Sequence, residues 1–110
     1  MIKITIFKKD SKYVGFNVEG HANYAESGKD IVCAAVSTLA YNTENSICEF
    51  THDYSLHRDG PGFTCVLLDG ESNPSWEYEL LLKSFKSGVR QISEQYPDYV
   101  IVQEAEIRKE

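Results

Sequence analysis

No apolar run in this 110-residue chain approaches the roughly 20 residues that a membrane-spanning helix requires. The opening residues, Met1-Ile2-Lys3-Ile4-Thr5-Ile6-Phe7, alternate as a strand does and lack the basic-then-apolar layout of a secretory signal. A cytoplasmic protein that begins near Met1 and avoids membranes is therefore expected. Cysteine is scarce: Cys33, Cys48 and Cys65 form no close pair. An odd count at wide spacing argues against a disulfide framework and a zinc site, so reduced thiols, no metal and no cofactor are expected. Positive charge is short too. A net charge of −6 disfavours a nucleic-acid partner, which needs clustered Lys and Arg against its phosphates. It suits a basic protein or peptide, and equally it keeps a small domain soluble. Repeats, linkers and low-complexity tracts are missing as well.

What is present is ordinary globular composition, 42% hydrophobic and 25% charged. One domain over residues 1–110 is expected, with Arg108, Lys109 and Glu110 as loose ends. Ile2, Ile4 and Ile6 share one face at period two, and Val14, Phe16 and Val18 repeat the pattern after a turn at residues 9–12. An opening hairpin results. Residues 22–29 carry small and polar side chains without period and read as a loop. Val32, Val36, Leu39, Ala40, Thr43 and Ile47 then form a helical stripe, with Asp30 as its N-cap. Strands follow at 52–58 and 63–69, joined by Asp59-Gly60-Pro61-Gly62. Asn73-Pro74 opens a second helix whose stripe is Leu81, Phe85, Val89, Ile92 and Tyr96, stopped by Pro97. A strand from about Tyr99 to Ile107 completes the order ββαββαβ. The simplest packing is an α+β fold, two helices on a mostly antiparallel sheet.

Chemistry points to Cys33, which falls at about the third residue of the first helix. Unpaired amides and the aligned dipole at a helix start favour a thiolate, taking a free thiol from ~8.5 to roughly 3.5–7.5. The same amides could hold an oxyanion. The cap carboxylate of Asp30 works against the thiolate unless hydrogen bonds absorb its charge. His21 ends the second strand twelve residues earlier, and that length spans up to about 40 Å extended, so the two side chains can meet. Cys beside His is the minimal thiol nucleophile with an acid/base partner. On spacing alone, Cys33 reads equally as a small buried apolar residue.

Gly20-His21-Ala22, Gly28, and Asp30-Ile31-Val32-Cys33-Ala34-Ala35-Val36-Ser37 resemble the signature of the bacterial ribosomal-processing cysteine proteases, the Prp family. The strand and helix order resembles that family over essentially the whole chain. The resemblance implies that Cys33 is the nucleophile and His21 the general base and acid. It further implies that the substrate is the precursor of large-subunit ribosomal protein number twenty-seven, whose short N-terminal extension is removed. It implies a homodimer, and an apolar residue, Phe, just before the cut. Gly20, Gly28, Asp30 and Ser37 match the family's remaining motif positions. Gly20 and Gly28 read either as hinges of a closing loop or as plain turns. Asp30 caps the helix and is a candidate to orient His21. Ser37 shares the helix face of Cys33, and either meets the site or bonds back to its own turn.

The other candidates read as structure. Cys48 and Cys65 are core or near-surface filler, His52 and His57 lie at the surface, and Trp76 and Tyr78 are packing. A non-catalytic adaptor that binds the same extension has no use for Cys33. A redox sensor lacks a resolving cysteine at short spacing.

Overall fold

The computed structural model describes residues 1–26, 29–70 and 72–107, so Gly28 and the last three residues lie outside it. Strands β1 (Ile2–Lys9) and β2 (Lys12–Gly20) pair antiparallel around Asp10 and Ser11, which both take the left-handed backbone that suits a tight two-residue hairpin. Helix α1 (Ile31–Phe50) follows the loop. Next come β3 (Ser55–Gly60) and β4 (Phe63–Leu68), helix α2 (Trp76–Gln95) and β5 (Val100–Glu106). The sheet order is β3-β4-β2-β1-β5, antiparallel except where β5 runs parallel to β1. The expected ββαββαβ α+β fold, with a mostly antiparallel sheet, is the observed one.

Period two decides which sheet face is covered. Ile2, Ile4 and Ile6 are buried with Val14, Phe16, Val66, Leu68 and Val100, and the helices cover this face with Val32, Val36, Ala40, Ile47, Tyr78, Leu82, Phe85 and Val89. Each fully buried aliphatic or aromatic side chain here contributes roughly 1.5–3 kcal/mol. Phe16 and Phe85 lock strand to helix, their ring centroids 4.2 Å apart.

Three details differ from expectation. Helix α2 is capped by Ser75, not Asn73: its Oγ accepts from the Tyr78 amide while Asp53 takes both the Ser75 amide and hydroxyl. That Asp53 anchor starts the helix after Pro74. Trp76 does not pack and stays 71% exposed, whereas Tyr78 is fully buried and donates to the Val14 carbonyl at 2.9 Å. His57 is not a surface residue, because β3 turns Ser55 and His57 toward α1 and leaves Leu56, Arg58 and Asp59 exposed.

Candidate active site

Strand β2 ends at Gly20, with φ +94°, and this left-handed residue turns the chain so that His21 leaves the sheet edge. A Cβ at Gly20 would come within 2.4 Å of the Met1 carbonyl oxygen, so close strand approach also demands glycine. The β3–β4 turn closes against the same point. Gly20 donates its amide to the Gly62 carbonyl at 2.8 Å, and a Cβ on Gly62 would stand 3.0 Å from His21 Nε2.

Cys33 is the third residue of α1, as its spacing from the cap required. The Ala22 amide donates to Cys33 Sγ at 3.3 Å, so the residue after His21 touches the sulfur directly. His21 and Cys33 line two adjoining recesses. One, of about 470 Å³, is completed by Asn23, Ala25, Asp30, Ala34 and Ser37. The other, of about 130 Å³, is walled by Ile2, Val18, Val36, Tyr41 and Phe63. Ser37 borders both recesses, and the neighbouring Thr38 donates its hydroxyl back to the Ala34 carbonyl.

Asp30 caps α1, its Oδ1 accepting from the Val32 and Cys33 amides at 3.0 and 2.9 Å. Its Oδ2 accepts from the Tyr24 and Ala25 amides at 3.0 and 3.4 Å. The Cys33 amide above all, and then those of Ala25 and Tyr24, hold this carboxyl below the ordinary carboxylate range. Four backbone donors absorb its charge, the condition expected for a carboxylate one turn from Cys33. Among the described residues Asp30 makes no hydrogen bond to His21. It holds the loop rather than the imidazole.

The same bonds alter the expected oxyanion site. The Val32 and Cys33 amides are committed to Asp30 Oδ1, and the Ala34 amide to the Asp30 carbonyl. Those first-turn amides are not open to a substrate oxygen, whereas the Ala22 amide lies beside the sulfur. Sequence reasoning missed Ala22 because a backbone donor leaves no trace in residue type. It missed Gly62 because a turn glycine does not announce what its missing side chain makes room for.

The family model for Cysteine protease Prp matches residues 1–101. This chain belongs to the Prp family. It is 30% identical over 90 residues to the ribosomal processing cysteine protease Prp of Mycoplasma genitalium, covering 78% of this chain and 83% of that one. With the Prp of Staphylococcus aureus it shares 28% over 104 residues, 91% and 95% of the two chains. The fold matches the crystal structure of the S. aureus Prp, an essential ribosomal processing protease, holding a covalently linked product peptide. The TM-score is 0.85 at 26% identity, over 96% of this chain and 100% of that one. SMU.848 from Streptococcus mutans matches with a TM-score of 0.83 at 27% identity, over 97% and 96%. The protein is thus a cysteine protease of a ribosomal-processing family, and the adaptor and redox-sensor readings fall away.

Proposed function

We propose that Cys33 is the nucleophile and His21 its acid/base partner, in an endopeptidase that removes the N-terminal extension of large-subunit ribosomal protein number twenty-seven. The observation that carries this reading is the Ala22 amide on Cys33 Sγ, in a cavity that His21 and Cys33 line together. The Cys33 thiolate adds to the peptide carbonyl, and the oxygen gathers negative charge beside the Ala22 N–H. His21 protonates the leaving amine as the C–N bond breaks, and then takes a proton from the water that releases the acyl group from sulfur. The apolar recess lined by Val18, Val36, Tyr41 and Phe63 suits the apolar side chain expected just before the cut. An acidic protein suits a basic ribosomal precursor.

In this reading residues 1–110 form one protease domain that works in the cytoplasm as a homodimer. No helix among the described residues is long and apolar enough to cross a membrane. The test is incubation with the organism's own precursor, followed by mass spectrometry. One cut that frees the extension is expected, and an intact precursor would overturn the assignment.

A further inference from the structure

A polar cluster lies under the middle of α1, away from the recesses at its start. Glu44 is buried on the stripe otherwise made of Val36, Ala40, Thr43 and Ile47. Its Oε2 lies 3.3 Å from His57 Nδ1, close enough to pair charge but without the alignment of a hydrogen bond, and among the described residues this oxygen has no hydrogen-bond partner. The other ring nitrogen, His57 Nε2, is 2.6 Å from Ser55 Oγ, which fixes the imidazole on β3. Asp59, two residues further along β3 and exposed at its outer end, lies beside the Glu44 carboxylate. Buried carboxylates rarely go without a full set of partners.

The two elements joined here carry the two halves of the active site. Helix α1 bears Cys33 at its start, and β3 runs from His57 and Asp59 through Gly60 into the turn that backs His21. We propose that Glu44, His57 and Asp59 form a polar brace between α1 and β3, and that the brace positions His21 against Cys33. The proposal rests on the assignment of those two residues as the catalytic pair. Glu44, His57 and Asp59 are positioning residues in it, acting through the β3–β4 turn.

The brace works through the proton on Glu44. While Glu44 holds it, the contact with Asp59 is a hydrogen bond. Once the proton is lost, two carboxylates repel across the seam. The other groups on this seam do not rescue it. Tyr41 and Cys48 lie one turn either side of Glu44, Thr64 stands opposite Asp59, and α2 contributes Tyr78, whose hydroxyl reaches Ser55 and the Val14 carbonyl. Arg58 lies on the outer face opposite Cys65, and among the described residues no Lys or Arg pairs with Glu44. Burial, then repulsion from Asp59, pushes the Glu44 carboxyl up to about 7.

Glu44→Gln keeps the shape and removes the titration, and Asp59→Asn removes the repulsion with Glu44 in place. Turnover of the precursor by each full-length variant is divided by wild-type turnover across pH, so that the titrations of the catalytic pair cancel. The ratio is expected to rise about two- to tenfold from mildly acidic to alkaline pH. The His21 ring resonances, followed by NMR in the same three proteins, are expected to diverge over that range. A melting temperature that titrates while both the turnover ratio and the His21 resonances stay flat would reduce the cluster to a local edge device and overturn the brace. If the wild-type protein cleaves nothing, the NMR arm still decides the brace, and only the assigned activity has failed. If Glu44→Gln does not fold, Asp59→Asn carries both readouts.

Discussion

Asp30 and Glu44 are carboxylates of one helix, and their surroundings push them in opposite directions. Asp30 stands at the open start of α1 and collects four backbone amides. Glu44 lies buried at mid-helix, with one oxygen lacking a hydrogen-bond partner among the described residues and another carboxylate beside it. The first is held below its ordinary range and the second is pushed up to about 7. Each is therefore linked to stability with its own sign. Asp30 stabilises the fold once ionised, and that contribution fades as pH falls through its lowered range. Glu44 does the reverse: it favours the fold while protonated, and its contribution is lost as pH rises from 4.5, its unperturbed value, to about 7. Donors facing a charge make an anion useful, and their absence makes a neutral acid the stable form.

The strongest test of this contrast is Cys33→Ala. The start of α1 is held by the cap rather than by the sulfur, so cleavage should fall to background while stability changes by about 1 kcal/mol or less. A well-folded Cys33→Ala protein that still turns over would remove the nucleophile from the mechanism.

Asp30→Ala comes next. It takes away the cap and the loop anchor together, so both melting temperature and turnover should drop, and Asp30→Asn, which keeps one acceptor oxygen, should recover part of each. Equal turnover in wild type and Asp30→Ala would mean that the loop and Cys33 hold their places without it.

Thermal melts across pH compare the two carboxylates directly. Glu44→Gln should gain on wild type by several degrees between acidic and neutral pH, at the few degrees per kcal/mol usual for this size. A constant difference would show that Glu44 does not titrate in the folded state.

Thiol labelling compares the sulfurs. Iodoacetamide at neutral pH should modify Cys33, the proposed nucleophile, ahead of exposed Cys48. Cys65 should lag, because burial pushes its thiol up despite the pull of Arg58. Labelling of Cys48 first in peptide mapping would count against an activated Cys33.

The smallest effect expected is in the loop. Its lack of apolar period suggested a segment with little to hold it, yet the Tyr24 ring meets Tyr96 and Tyr99 edge-on at 5.5 and 5.1 Å, and Asp30 holds two loop amides. Tyr24→Ala should speed amide exchange at Tyr24 and Ala25 several-fold while leaving α1 unchanged. Equal exchange with and without the ring would leave Asp30 as sole anchor. The hinge reading of Gly28 falls outside the described residues.

Much of this protein follows from residue order alone. Alternation in Ile2-Ile4-Ile6 and Val14-Phe16 orients two strands, because successive side chains must face opposite sides of a sheet. An aspartate three residues before Cys33 starts a helix there, because its carboxylate satisfies amides that would otherwise go without partners. The motif around His21 and Cys33 was read through its resemblance to the Prp family, since twelve residues separate the pair and spacing alone left Cys33 equally a small buried residue. The tertiary structure decided what depends on neighbours distant in sequence. Ser75 displaced Asn73 as cap because Asp53 reaches it from another loop. The Ala22 amide, Gly62 against His21, and Glu44 against His57 and Asp59 all arise where separate elements meet. A side chain's charge and reactivity are set by what surrounds it, and only the packed chain brings those surroundings together.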